Sequence, residues 1–170
     1  SVSSYYVGKK LQLELYMSAL AKEAVPAGVF YFPTSLQYDT KQTGRFQLKG
    51  FFNNDTLALR SGDNDICEEH VSEFFPASLK KSTSQSGMDE QSFRDVIEYS
   101  TLVSKQGHTE LKEGYVAPTP YDNACEICKY GGMCGFNKEI EKPRKERAVT
   151  GSEVVEIVRQ TREKEDTQND

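Results

Sequence analysis

Leu11, Leu15 and Ala19 recur on one side of residues 8–24 (GKKLQLELYMSALAKEA), with Leu13, Met17, Leu20 and Ala24 beside them. The run is rich in Leu, Lys, Glu, Met and Ala, and after Gly8 no Gly or Pro interrupts it, which predicts a helix. Its apolar residues wrap most of the circumference, which predicts burial on more than one side. Pro26 and Gly28 break the helix, and Val29-Phe30-Tyr31-Phe32 follows as a continuous β-prone run closed by Pro33. Such a run suits an internal strand covered on both faces. A buried helix feeding a buried strand points to an α/β layer.

Residues 34–50 are polar and rich in Thr, Gln and Gly, compatible with a hairpin or a long loop around Gly44, with Phe46, Leu48, Phe51 and Phe52 as apolar anchors. Asn54-Asp55 caps a short helix through Leu57 and Leu59 that Gly62 ends. Residues 63–69 are acidic and read as exposed; residues 73–81 (EFFPASLKK) read as another strand, and 82–87 as a flexible link. Met88-Asp89 opens a helix over residues 90–105 with Phe93, Val96, Ile97 and Leu102 near helical spacing. Two prolines make residues 114–121 extended or turning. The basic run 142–147 (KPRKER) reads as solvated. Ser152 and Glu153 start a last helix whose Val154, Val155, Ile157 and Val158 form a narrow apolar stripe, read as packed on the surface rather than as a partner contact. From Lys164 to Asp170 the acidic end reads as disordered. No internal repeat is visible. The expected division is residues 1–141, including the cysteine cluster, and a tail of residues 142–170.

A chain of 170 residues, 36% hydrophobic and 28% charged, suits one domain or one domain plus a tail. The net charge of −5 excludes a globally basic nucleic-acid binder but leaves room for a local basic groove. The apolar stretches fall far short of the ~20 residues of a membrane helix, and Ser1-Val2-Ser3-Ser4 lacks a signal-peptide pattern, so no membrane partner is expected. The chain also lacks an initiator Met, and the expectation is a piece of a longer protein. Three of the four cysteines, Cys125, Cys128 and Cys134, crowd into ten residues, which fits clustered thiolates in a reducing, cytoplasmic setting better than a secreted disulfide framework.

Cys125-x2-Cys128-x5-Cys134 is a pattern for metal. A C-x2-C turn aims two thiolates at one point, and Gly131-Gly132 lets the backbone present a third; thiolate sites take zinc or iron–sulfur clusters. Reduced thiols buried in a tight turn are the blander alternative. Cys67, in an acidic stretch, reads as a lone thiol. Gln12 and Tyr16, four residues apart, share a helix face, where a Gln beside an active site could hold water or phosphate. A Gln on a core-helix edge with a packed Tyr16 is the competing reading. The D/E-x-K matches Asp39-Thr40-Lys41 and Glu110-Leu111-Lys112 read as solvated surface, His70 and His108 support no triad, and no ATP-binding motif is present.

Taken in order, Lys10-Leu11-Gln12-Leu13-Glu14-Leu15-Tyr16, then Pro26-Ala27-Gly28-Val29-Phe30-Tyr31-Phe32-Pro33, then Gly114-Tyr115, Pro120-Tyr121, Cys125-Glu126-Ile127-Cys128-Lys129-Tyr130 and Cys134-Gly135-Phe136 resemble one family. It is the C-terminal nuclease region of the AddB/RexB-type component of the ATP-dependent helicase/deoxyribonuclease, a DNA double-strand-break repair and recombination machine. The resemblance covers roughly residues 5–137, and Phe51-Phe52 and residues 74–81 also look like family segments. It implies a truncated PD-(D/E)XK nuclease-like fold, mixed α/β, with a mixed sheet flanked by helices and a C-terminal cysteine loop. It further implies exonuclease chemistry in which a divalent metal, usually Mg²⁺, is held by an Asp and by the acidic residue of D/E-x-K, polarises the phosphate and activates water. By the same resemblance Gln12 and Tyr16 support the active site. Cys125, Cys128 and Cys134 would be three ligands of a structural [4Fe–4S] cluster whose fourth Cys precedes the nuclease core. The implied partners are DNA and the A-type helicase/nuclease component of the same machine. The catalytic Asp, the D/E-x-K and the fourth cluster Cys of that pattern are not found here, so the expectation is a fragment, cut near Ser1, unable to cleave DNA alone. A Cas-four-type exonuclease fragment shares Q-x-x-x-Y and the cluster cysteines, but the long stretch between Tyr16 and Cys125 favours the helicase-associated family. A zinc-binding interaction module without catalysis is the alternative of a different class.

Overall fold

The computed structural model describes residues 2–32, 34, 48–66, 72 and 87–169. The expected strand over 73–81, most of the loop around Gly44 with Phe46, the link 82–86, Pro33, Cys67, His70 and Asp39-Thr40-Lys41 lie outside the described residues.

The helix predicted from Gly8 starts later than that, and Gly8 instead follows a separate short helix. A first turn, α1 (Val2–Tyr6), ends where Gly8 adopts φ +80°, the left-handed conformation that a side chain disfavours. Its N–H closes onto the Tyr5 carbonyl at 2.9 Å. The following helix, α2 (Gln12–Leu20), is shorter than residues 8–24. It is also less covered than expected: only Glu14 is buried, while Tyr16 and Leu20 are exposed. Its apolar residues encircle the axis, and Leu11, Leu13 and Met17 are among those that meet the core.

The described strands form a mixed sheet in the order β1 (Gly28–Tyr31), β2 (Lys49–Asn53) and β3 (Gly87–Met88). β1 and β2 run antiparallel with Val29 opposite Phe51 and Tyr31 opposite Lys49; β2 and β3 run parallel with Phe52 opposite Gly87. Gly50 permits the close approach, because a Cβ there would stand 1.8 Å from the Val29 carbonyl oxygen. Among the described residues β1 is an edge strand, where the apolar run suggests an internal one, and cover fades along it from buried Val29 to exposed Tyr31. A continuous apolar run records side-chain character, not how many neighbours a strand finds.

Phe51 and Phe52, adjacent on β2, point to opposite faces and serve two cores. Phe51 joins Tyr5, Val29, Phe93, Val96, Ile97, Tyr99, Val149, Val154, Val155 and Val158. Phe52 joins Leu59 and Ile66, with Phe30 packed against them. Leu59 comes from α3 (Thr56–Gly62), capped by Asp55, whose Oδ1 accepts from the Leu57 and Ala58 amides at 2.8 and 3.3 Å.

Asp89 caps the long helix α4 (Glu90–Lys112) by accepting from the Ser92 amide at 3.0 Å. The helix passes the expected end at residue 105 and stops only at Gly114, φ +80°, with Gln106 donating to Glu110 one turn on at 2.9 Å. The last helix, α5 (Gly151–Asn169), is capped by Thr150 rather than opened by Ser152. Thr150 Oγ1 accepts from the Glu153 amide at 3.3 Å while Glu153 Oε2 accepts from the Thr150 amide at 2.8 Å, a reciprocal capping box. The apolar stripe packs on α4 as expected, but its Val154 and Val158 are wholly buried in the main core. The acidic end is helical to Asn169, not disordered.

A polar clamp reinforces the α4–α5 contact. Asp95, fully buried on α4, accepts from Arg159 Nε at 3.0 Å and from Arg162 Nη1 at 2.8 Å, and Arg162 also pairs with Glu98. Gln91 Nε2 adds a bond to Asp95 Oδ1 at 3.1 Å. The α/β expectation therefore holds: five helices accompany a mixed three-stranded sheet among the described residues.

Candidate functional site

Gln12 opens α2, so the four-residue spacing sets its amide beside Tyr16, and Nε2 donates to the Tyr16 hydroxyl oxygen at 2.9 Å. Both residues face solvent, and Tyr16 is 61% exposed rather than packed. The pair therefore offers an amide carbonyl and a phenol to whatever lies over that face. Lys10, two residues earlier, carries its Nζ 5.4 Å from the centroid of the Tyr31 ring, tying the start of α2 to the end of β1.

The opposite face holds a residue that the pattern reading passed over. Glu14 is 2% exposed, and its Oε2 is the one buried side-chain polar atom without a hydrogen-bond partner among the described residues. Burial raises its carboxyl above the ordinary carboxylate value, and Glu14 in turn raises the hydroxyls of Tyr5 and Tyr31, after burial itself. The available signal was an acidic residue set between Leu13 and Leu15, two positions out of step with the exposed Gln12 and Tyr16.

The sign of the pH effect follows. A carboxyl that keeps its proton to higher pH when folded contributes stability below the unfolded-state value, and this is lost as pH rises through the folded-state value. Glu14→Gln removes that loss and keeps the shape. Thermal unfolding across pH 4 to 8 is expected to show the variant gaining on the parent as pH climbs out of the ordinary carboxylate range. A difference independent of pH would show that Glu14 does not titrate with folding.

The cysteine loop is an excursion with a pinned neck. Arg144 N donates to the Pro120 carbonyl at 2.8 Å, and Asp122 N donates to the Arg144 carbonyl at 2.9 Å. The Arg144 guanidinium also bonds the Thr119 carbonyl at 2.8 Å and lies 4.3 Å from the Tyr121 ring centroid, which Lys9 approaches at 4.8 Å. Lys9 pairs with Glu146 at 2.6 Å. The basic run 142–147 is thus not simply solvated: its Arg144 locks the neck.

Beyond the neck, Cys125 is half-buried, Cys128 and Cys134 are exposed, and all three are free thiols. The chain turns back at Gly131-Gly132, with the Met133 and Cys134 amides on the Tyr130 carbonyl at 2.9 and 3.1 Å, and Tyr130 N donates to Cys128 Sγ at 3.4 Å. The donors suit a soft metal or an iron–sulfur cluster. Among the described residues no group of three or more His, Cys, Asp or Glu is gathered at one point. Glu110-Leu111-Lys112 lies on the last turn of α4 and not on a strand, as the solvated reading has it. No described helix is long and apolar enough to cross a membrane.

No protein-family profile matches the chain. It is similar to the B-type component of the ATP-dependent helicase/deoxyribonuclease of Alkaliphilus metalliredigens, with 24% identity covering 82% of this chain and 14% of that protein. The same component from Clostridium kluyveri is 24% identical over the same shares, and that of a Thermoanaerobacter species is 23% identical over 80% of this chain. The chain spans about 14% of the length of these curated relatives. Over most of its residues, then, this chain is similar to a short stretch of the AddB component of the ATP-dependent helicase/deoxyribonuclease.

Proposed function

We propose that the chain is part of the nuclease region of a helicase–nuclease component that acts in DNA double-strand-break repair, working with DNA and the A-type helicase/nuclease component in the cytoplasm. The observation that carries this reading is the similarity, across 82% of the chain, to proteins named as the B-type component of the helicase/deoxyribonuclease. The solvent-facing Gln12–Tyr16 pair agrees with it, since those two side chains would hold water or a phosphate oxygen beside the reacting bond. When bound in the longer protein, Mg²⁺ would polarise the phosphate and make water a better nucleophile. No described residue of this chain is assigned to that ion: Asp95 is committed to two arginines, Glu14 stands alone in the interior, and Glu110 lies on a helix surface. On this reading the chain alone does not hydrolyse phosphodiesters. Cys125, Cys128 and Cys134 are proposed as three thiolate ligands of a [4Fe–4S] cluster, which requires the loop beyond the neck to draw in.

Incubated with linear DNA and Mg²⁺, the purified chain is expected to bind without cutting. Robust Mg²⁺-dependent cleavage would overturn the inactivity, and failure to bind any DNA would overturn the reading. Anaerobic reconstitution followed by metal analysis is expected to show iron with acid-labile sulfide, lost in Cys134→Ser. Stoichiometric zinc without sulfide would point instead to a zinc-binding interaction module.

A further inference from the structure

We propose that Lys9, Tyr121, Arg144 and Glu146 form a latch that positions the Gln12–Tyr16 pair by fastening the start of α2 to the neck of the cysteine loop. What the pair does there rests on the deoxyribonuclease reading, whereas the latch needs only the geometry.

α2 has no means of fixing its own beginning. Its N-cap residue, Leu11, carries no side-chain oxygen for the first-turn amides, and no side-chain cap bond is made. Gln12 is the first helical residue, so fraying of that turn would carry its amide away from Tyr16. Placement of the turn therefore falls to the link that follows Gly8. There the Lys9 amide closes onto the Ser4 carbonyl at 2.9 Å, while its side chain crosses to the neck. Nζ stands 2.6 Å from Glu146 Oε1 and 4.8 Å from the Tyr121 ring centroid. Glu146 Oε2 also accepts from Ser4 Oγ at 3.5 Å, so α1 and Lys9 hold one carboxylate between them. The same Tyr121 ring carries the Arg144 guanidinium at 4.3 Å, and Arg144 Nε is fixed to the Thr119 carbonyl at 2.8 Å. An exposed Lys–Glu pair alone is worth little. Here it is joined to a ring shared by two cations and to a backbone bridge across the neck, which makes the contact a fastening rather than a surface pair. None of these bonds uses a thiol, so the latch is independent of what Cys125, Cys128 and Cys134 carry. Lys9 and Tyr121 are thus positioning residues, acting on Gln12 and Tyr16 through the start of α2.

The experiment uses the whole isotope-labelled chain and reads amide hydrogen exchange together with the side-chain amide signals of Gln12 by NMR. The Leu15 amide, bonded to the Leu11 carbonyl at 2.9 Å, reports opening of the first turn of α2. Lys9→Met and Tyr121→Leu are each expected to speed its exchange by about threefold, and to move the Gln12 signals toward those of Tyr16→Phe, which lacks the acceptor. Tyr121→Phe keeps the ring face and should match the parent. Combining Lys9→Met with Tyr121→Leu should fall well short of the product of the two effects, because both act through one contact. Unchanged exchange at Val96 and Ile97 verifies the core, and Lys9 is exposed, so its replacement tests the latch even if the Tyr121 variant fails to fold. Parent-like exchange at Leu15 and parent-like Gln12 signals in the latch variants overturn the latch and leave the deoxyribonuclease reading standing. A double variant equal to the product also overturns it, since the residues would then act separately. The expected changes in a chain that binds no DNA uphold the latch and overturn the deoxyribonuclease reading.

Discussion

Replacing both Arg159 and Arg162 with Ala is expected to cost about 3–5 kcal/mol of folding stability, the range for stripping the partners from a buried charge. Asp95 has no exposed surface, and both its oxygens are engaged, one with Arg159 Nε and one with Arg162 Nη1. Without them only the Gln91 amide remains, and a carboxylate in the interior is left almost uncompensated. The arginines are themselves 47% and 37% exposed, so water recovers them cheaply while Asp95 bears the loss. A single Arg162→Ala should cost clearly less, because Arg159 stays in place. At this chain length the double replacement should lower the melting temperature by about 10 °C or more. Adding Asp95→Leu to the double variant should restore much of the stability, since it removes the charge that has to be kept dry. A double variant that melts within about 1 kcal/mol of the parent would mean that the clamp behaves like an ordinary surface pair.

Local chemistry was legible where one residue decides an outcome. Asp55 and Asp89 act as the caps their positions announce, and the spacing of Gln12 and Tyr16 does bring the two side chains into hydrogen-bonding contact. What eluded the sequence depends on partners far along the chain. An apolar stripe marks the start of the last helix, but only the packing of α4 against α5 shows that its Arg159 and Arg162 find Asp95 and Glu98 more than sixty residues away. Residues 29–32 state that a strand is apolar, but its place at an edge of the described sheet follows from which strands pair with it. Arg144 reads as one charge in a solvated run until Tyr121 and the Pro120 and Thr119 carbonyls are in place around it. For the candidate site the limit is similar. C-x2-C-x5-C states which donors are present; whether three of them converge depends on how a 121–144 loop closes, and the described arrangement leaves them apart. Glu14 was hidden because a mid-helix Glu is ordinary on a surface, and only the packing of α2 shows which face is inside.

Ending the chain at Thr150 is expected to abolish cooperative unfolding. α5 begins with the next residue and contributes Val154 and Val158, both fully buried, and Val155, 6% exposed, to the core that also holds Phe93, Val96 and Ile97 of α4. Burying a valine side chain is worth about 1.5–3 kcal/mol, so three of them supply roughly 5–9 kcal/mol before the clamp to Asp95 is considered. A typical domain is stable by only about 5–15 kcal/mol, and the loss is therefore of the order of the whole. The shortened chain should lose its sharp thermal transition and bind a hydrophobic dye, as a collapsed chain without fixed packing does. Removing residues 164–170 alone should change stability by about 0.5 kcal/mol or less, because the buried valines and both clamp arginines precede that cut. The two truncations together separate composition from packing: the acidic end is dispensable, whereas the first turns of α5 belong to the core. Sharp, parent-like melting of the chain ending at Thr150 would instead make α5 an appendage and place the domain boundary where the sequence division at residues 141 and 142 puts it.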